Sequence, residues 1–299
     1  MILSILVVGS LNMDTTLSVD HLPQPGETIL ADMLKTSRGG KGQNQAVAMS
    51  RLGSTVRMIG AVGKDEKGCD ILKGLESEGV DVNGIIITDS PTGMASIYLD
   101  SKGNNSIVVY PGANFAIRPN DIKRNLEMFE NIRYCVMQLE TPLEVVYKTL
   151  EICKEKNIIT VLNPAPANID FDDKYLNLID YLIPNETELS LLTGEELSES
   201  NMSLLASKLL QKGCKNVLIT LGKEGSLLVN GSVEIKVESE EVEAIDTTAA
   251  GDSYIGGLVS SLANGYRIEE AMKFATKVAA ITVTREGAID SLPFKNEVK

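Results

Sequence analysis

The chain is poor in the residues on which much enzyme chemistry rests. Its 299 residues include one histidine, His21. That excludes any site needing two, such as an H-E-x-x-H zinc hydrolase, and weakens every Ser-His-Asp or Cys-His scheme. His21 lies in "VDHLPQPGE" and reads as a solvated loop residue, so base chemistry has to come from carboxylates or lysine. Cysteine is sparse too: Cys69, Cys135, Cys153 and Cys214 form no C-x-x-C pair. They read as reduced, mostly buried thiols of a cytoplasmic protein. Basic side chains number 28 against 41 acidic ones, a net charge of −13, which argues against broad attraction to nucleic acid or anionic lipid. Any anion must be held by a local site. No apolar run reaches the roughly 18 to 20 residues of a membrane helix. The opening "MILSILVVGS" has neither a charged n-region nor a clear cleavage site, and reads as a buried first strand. The common nucleotide fingerprints are missing as well. Lys41, Lys64 and Lys223 each follow a glycine without the rest of a G-x-x-x-x-G-K-[ST] loop, and no G-x-G-x-x-G follows the first strand. A P-loop NTPase and a standard dinucleotide dehydrogenase are therefore poor readings.

What is present is alternation. The β-rich runs "ILSILVVG", "TVRMIGAVG", "IRYCVMQLE", "IITVLNPAP", "IDYLIPN" and "KNVLITLG" each neighbour a segment of helical period. This implies an α/β fold, an open, mostly parallel sheet flanked by helices, in a single domain over residues 1–299. Ligands gather at the carboxyl ends of such strands. The endings "GSLNMD", "QLE", "NPAP", "PNETE" and "TLGKEG" should accordingly converge on one edge. Two stretches, residues 27–40 and 93–112, break the rhythm and read as short strands, the second a hairpin turning at "SKGNN". They are a candidate small β-sheet lid, with segments at about 14–38 and 94–112, or equally an edge decoration.

Several motifs could carry chemistry. "DTTAAGDSYIGG" runs into a helix of small and apolar residues that ends at Asn264-Gly265. If Ala249, Ala250, Gly251 and Asp252 form its first turn, their unpaired N–H groups make an anion site without lysine. Asp252 there is either an ordinary first-turn acid, favoured by the helix dipole, or a base beside a phosphoryl group. "SRGGKGQNQAVA" is a second glycine-rich loop entering a small-residue helix. Gly39, Gly40 and Gly42 allow close backbone approach, and Gln43 and Asn44 offer amides suited to sugar hydroxyls; a lid hinge would look the same. Asn12 and Asp14 lie just beyond the first strand, where an Asp can receive two hydroxyls. Asn185, Glu186 and Glu188 sit at a helix start, as dipole effects favour, or hold magnesium through waters. "TLGKEG" fits a nucleotide edge or a plain hairpin.

Taken together, these segments closely resemble the ribokinase-like carbohydrate kinase family along nearly the whole chain. "GGKGQNQAVA" is similar to its amino-terminal signature and "DTTAAGDSYIGG" to its carboxyl-terminal one, while "NPAPA" and "PNETE" resemble its ribose-phosphorylating branch. The resemblance implies ATP-dependent phosphorylation of the 5-hydroxyl of D-ribose, with Asp252 as base and the amides of residues 249–252 as anion hole. It implies sugar contacts at Asn12, Asp14, Gly40, Lys41, Gly42, Asn44, Glu140 and Asp252. Nucleotide contacts are implied at Asn185, Thr220, Gly222, Gly225, Gly251 and Thr276, and Mg2+ near Glu188. A monovalent cation, K+, would lie at Asp246, Thr248, Thr282, Arg285, Gly287 and Ser291, mostly on backbone carbonyls. The inserted sheet would cover the sugar and clasp a second copy as a homodimer. Relatives preferring 2-deoxyribose tend to lack an Asn matching Asn12, so its presence favours ribose. The rival readings are a kinase for 2-deoxyribose, fructose, a nucleoside or a pyridoxal-type ring, and a non-catalytic sugar sensor, which would have no need of Asp252.

Overall fold

The computed structural model describes residues 4–198 and 200–299. Among them the strands are β1 Ser4–Val8, β2 Asn12–Val19, β3 Ala31–Gly39, β4 Val56–Gly63, β5 Asp81–Thr88, β6 Met94–Asp100, β7 Asn105–Tyr110, β8 Ile132–Met137, β9 Ile159–Leu162, β10 Tyr181–Leu182, β11 Asn216–Thr220, β12 Ser226–Asn230 and β13 Glu234–Val237. The α-helices are α1 Lys41–Arg51, α2 Glu66–Ser77, α3 Pro119–Arg124, α4 Leu143–Glu155, α5 Glu186–Thr193, α6 Met202–Gln211, α7 Ala250–Ala263 and α8 Ile268–Val283.

Nine strands form one sheet in the order β13-β12-β11-β10-β9-β8-β1-β4-β5. Every neighbouring pair from β5 across to β11 is parallel, and only β12 and β13 run antiparallel to their neighbours. The middle strands are short and predominantly apolar, as a sheet covered on both faces requires. β1 is buried throughout, and two apolar clusters lie on its opposite sides: Leu6 and Val8 belong to one, Ile5 and Val7 to the other. One cluster takes in α4 and α6, the other α1, α7 and α8. Parallel strands put their carboxyl ends on one edge, and the segments after β1, β8, β9, β10 and β11 all emerge there, as the alternation predicts.

The second sheet has four strands in the order β3-β2-β6-β7. Its β6–β7 hairpin turns at residues 101–104, within the expected "SKGNN". The strand less visible in sequence is β2. Asn12 and Asp14 follow the first strand, as expected, but they already belong to the small sheet, pairing with β3 and, from Thr15 on, with β6. β2 mixes Asn, Asp, Thr and Ser with few apolar residues, so its period-2 pattern is faint.

His21 is exposed and paired with Glu27 and Asp20 outside any strand or helix, the expected solvated position. All four cysteines are free; Cys135, Cys153 and Cys214 are buried and Cys69 is exposed. No helix among the described residues is long and apolar enough to cross a membrane.

Candidate active site

The first turn of α7 forms where "AAGD" meets an apolar run, and it forms with one strained residue. Ala249, at the N-cap, has φ 59°, in the left-handed region that a Cβ disfavours. The strain turns the chain so that the N–H groups of Ala249, Gly251 and Asp252 have no acceptor among the described residues, while Ala250 donates to the Thr247 carbonyl at 3.2 Å. A Cβ on Gly251 would meet nothing within 4 Å, so this glycine leaves open space rather than relieving a clash. These amides border a cavity of about 210 Å³, also lined by Lys41, Asn163, Asn185, Glu188, Thr220 and Asp252.

Asp252 is 6 % exposed, and each of its oxygens takes an amide donor from α1. Asn44 Nδ2 donates to Oδ2 and Gln45 Nε2 to Oδ1, both at 2.9 Å. An acid serving only as a cap would bond to its own helix; this one is held from a helix more than 200 residues away in sequence. Asn44 Oδ1 is buried without a partner, an acceptor left over in the site. Lys41 stands at the start of α1. The charge of Asp252 raises its pKa most, burial opposes, and Glu140 and Glu188 add to the rise.

α1 can begin here because two glycines let it press on the corner between β1 and β2. Gly40 has φ 90°, and a Cβ on Gly42 would lie 2.6 Å from the Ser10 backbone nitrogen. Glu140 closes the corner. Its Oε2 accepts from the Lys41 N–H at 3.0 Å and from the Ser10 hydroxyl, which in turn accepts from the Gly42 N–H at 3.2 Å. Asn12 is buried; its carbonyl accepts from Asn114 Nδ2 at 2.8 Å, and its own NH2 has no partner among the described residues. Asp14 Oδ1 accepts from the Ala95 N–H at 3.2 Å. Burial pushes the Asp14 carboxyl up to about 6, the Ala95 bond opposing and the charge of Glu140 adding. A Cβ on Gly39 would fall 2.0 Å from Asp14 Oδ2, so the room for this carboxylate depends on the neighbouring glycine.

The remaining expected residues fall into two groups. Asn185 caps α5, its side chain accepting from the Glu188 N–H at 2.8 Å while Glu188 Oε2 accepts from the Asn185 N–H at 2.9 Å. Burial raises the pKa of Glu188. Thr220 bridges to Asn185 at the end of β11, and Gly222 and Gly225, with φ of 53° and 94°, make the hairpin turn into β12. Thr276 sits on α8 with its hydroxyl bonded to the Met272 carbonyl, and is not among the residues lining the cavity. The second group joins two loops beside α7. Asp246 accepts from the N–H groups of Thr248 and Gly287, each at 2.8 Å. Burial works to raise its pKa, yet these bonds hold it below the ordinary carboxylate range. Thr282 and Ser291 are fully buried, their hydroxyls on the carbonyls of Val278 and Ala288. Arg285 follows the end of α8 and pairs with Glu297. The Gly287 N–H on Asp246 ties the segment before α7 to the one after α8. Among the described residues no group of three or more His, Cys, Asp or Glu gathers to hold a metal by itself.

Gln45, Gln138 and Asn163 lie inside the stretches "GGKGQNQAVA", "QLE" and "NPAP", and Asn114 just past the second inserted segment, yet none of the four has a role there that the sequence announces. A buried amide in a helix or at a strand end carries no pattern of its own.

A helix start with free amides and a buried acid held across the fold, set beside gathered strand ends, are the parts that a kinase acting on a small alcohol requires. Residues 3–295 match the pfkB family carbohydrate kinase, and the chain belongs to that family. It is 38 % identical to the ribokinase of Haemophilus influenzae over 293 residues, covering 97 % of this chain and 95 % of that protein. The deoxyribokinase of Salmonella typhi is 36 % identical, covering 97 % and 96 %. Among solved structures, Arabidopsis thaliana ribokinase complexed with ribose and ATP superposes with a TM-score of 0.93 at 32 % identity, covering 100 % of this chain and 98 % of that one.

Proposed function

We propose that this kinase transfers the γ-phosphoryl group of ATP to the 5-hydroxyl of D-ribose, giving D-ribose 5-phosphate and ADP. The observation that carries the reading is the carboxylate of Asp252, pinned on both oxygens beside the unpaired amides of one helix start. Asp252 accepts the proton of the attacking hydroxyl while the amides of Ala249, Gly251 and Asp252 receive the charge on the moving phosphoryl group. Ala250 joins them by releasing the Thr247 carbonyl.

The sugar lies under the small sheet, which closes as a lid and excludes water from ATP. Asp14 takes two of its hydroxyls, and Asn12, Asn44, Lys41, Glu140 and the Gly40–Gly42 backbone take the others. The free NH2 of Asn12 favours ribose over 2-deoxyribose, because a donor built for a hydroxyl is left unpaired when that hydroxyl is missing. Identity to the two named relatives differs by too little to decide this, so Asn12 bears the weight of the choice.

ATP lies along Asn185, Thr220, Gly222, Gly225 and Gly251, with Thr276 nearby. Mg2+ neutralises phosphate charge when bound; Glu188 would hold it through water, and the second Glu188 oxygen has no hydrogen-bond partner among the described residues. K+ would sit between the loops of Asp246 and Thr248 and of Thr282, Arg285, Gly287 and Ser291, steadying the start of α7. Four free thiols suit a reducing compartment, the cytoplasm. Two copies pair through the small sheet, whose Met33, Leu34, Ile107 and Val108 are all more than half exposed.

The test is ADP release with MgATP and D-ribose, against 2-deoxyribose, fructose and adenosine, in potassium and in sodium buffers. Potassium-dependent turnover with ribose is expected. Preference for another acceptor would replace the substrate and keep the mechanism, and ribose binding without turnover would make the protein a sensor.

A further inference from the structure

Asn44 and Gln45 are adjacent on α1, and both reach Asp252. Asn44 also has its place in the sugar site; Gln45 has none, yet it is 0 % exposed and its amide is fully committed. Its Nε2 donates to Asp252 Oδ1 at 2.9 Å and to Asn163 Oδ1 at 3.3 Å, and its Oε1 accepts from Gln138 Nε2 at 2.6 Å. Only one orientation of the Gln45 amide satisfies these partners. Turned over, its oxygen would face a carboxylate oxygen and its NH2 would face another NH2. Asn163 is fixed in turn, its Nδ2 donating to the Ile183 carbonyl at 3.0 Å. Gln138 is seated against Gly9, where a Cβ would come within 2.0 Å of Gln138 Oε1. Gln138, Asn163 and Ile183 each directly follow one of three adjacent strands, β8, β9 and β10.

We propose that Gln45 is the positioning residue for the catalytic base, held by Gln138 and Asn163 so that three neighbouring strand ends fix the orientation of the Asp252 carboxylate. The inference rests on the reading of Asp252 as base. Gln45 sets which lone pair of that carboxylate meets the acceptor hydroxyl, and its N–H stabilises the ionised form. The charged groups facing the same carboxylate are Lys41 on α1 and Glu188 on α5. Neither is altered in the variants below, so an effect on the pH profile reports the amide.

The experiment compares Gln45→Leu, Gln45→Glu and Gln138→Leu with the unaltered enzyme, reading kcat, KM for the sugar, the pH profile of kcat and the thermal midpoint. Losing a hydrogen bond to a charged group should lower kcat of Gln45→Leu by about 10- to 100-fold, with KM for the sugar within about threefold. The acid limb of its kcat profile should move to higher pH, because the ionised carboxylate has lost a donor. Gln45→Glu can donate only when protonated, so its kcat relative to the unaltered enzyme should rise as pH falls. Gln138→Leu should show the same signature at about a third of the size or less on a logarithmic scale, because it frees Gln45 without touching the base. A Gln45→Leu enzyme with unchanged kcat and acid limb would overturn the proposal, as would a loss confined to KM. Should that variant fail to fold, the pH trend of Gln45→Glu and the kcat of Gln138→Leu decide, and no effect in either would overturn it. Near-normal turnover in Asp252→Asn would instead remove the base itself, a separate failure.

Discussion

The two sheets of this kinase are built to opposite specifications. In the nine-stranded sheet β1 has no exposed residue and β8, β9 and β11 are buried along most of their length; in the four-stranded one the first six residues of β3 and all of β7 are exposed. Each sheet has one aspartate of the proposed site associated with it. Asp252 rises from a helix packed on the large sheet and has both oxygens bonded. Asp14 stands on a strand of the small sheet with a single bond from Ala95. A group that must be ready before substrate arrives is best held by a rigid, close-packed support, since geometry errors of about 1 Å are costly to rate. A group that closes on a sugar can stand on a thin sheet that needs a partner to cover it. The proposed division is that the large sheet governs the chemical step and the small sheet governs capture.

The largest effect belongs to the large sheet. Asp252→Asn should reduce kcat by about 10² to 10⁴ while sugar affinity, measured by calorimetry, stays within a few-fold. Comparable losses in affinity and rate would break the division. For the small sheet, Asp14→Ala should raise KM for ribose by about 10- to 100-fold with much less change in kcat. Its pH dependence sharpens the same point. Burial raises this carboxyl to about 6. In the proposed role sugar hydroxyls donate to its ionised form, so affinity should be full above that value and fall as pH drops through it. KM for ribose should climb about tenfold per unit below the midpoint, and Asp14→Ala should flatten that rise. Asn12→Ala should cost ribose about tenfold in kcat/KM and 2-deoxyribose far less, narrowing the gap between them. Replacing Leu34 and Val108 together with Asp should turn the proposed dimer into a monomer in sedimentation and raise KM before it touches kcat. The smallest effect concerns Ala249. Gly at this left-handed position should leave kcat within about twofold and stability within about 1 kcal/mol, since relief of strain and the entropy of the unfolded chain oppose each other.

The same contrast explains how much could be read from sequence. β1, β4, β8, β9 and β11 are predominantly apolar runs, and a strand buried on both faces writes its presence plainly. α7 is marked at both ends, by "AAGD" and by Asn264-Gly265, whose glycine has φ 85°. β2 is harder to read because half-exposed polar residues take strand geometry from their neighbours rather than from their own pattern. In the site, Asp252, Asn44, Gly40 and Gly42 announce themselves in short motifs. Asn114, Gln138 and Asn163 do not, since their meaning lies in partners dozens of residues away, and Asn114 reaches Asn12 across 102 positions. Gln45 sits inside the amino-terminal signature and is still silent there, because the signature is read through its glycines and Asn44.

One junction limits how this scaffold could be re-engineered. β3 ends at Gly39 and α1 begins at Lys41, so a single residue, Gly40, joins the small sheet to the helix that carries Asn44 and Gln45. With so short a connection there is no spare chain to absorb a mismatch. A foreign small sheet grafted in to change acceptor preference would arrive with its own twist, and that twist would pass directly into the register of α1. Exchange of the small sheet is therefore expected to succeed only as a cassette running through the first two turns of α1, with the glycine at its hinge.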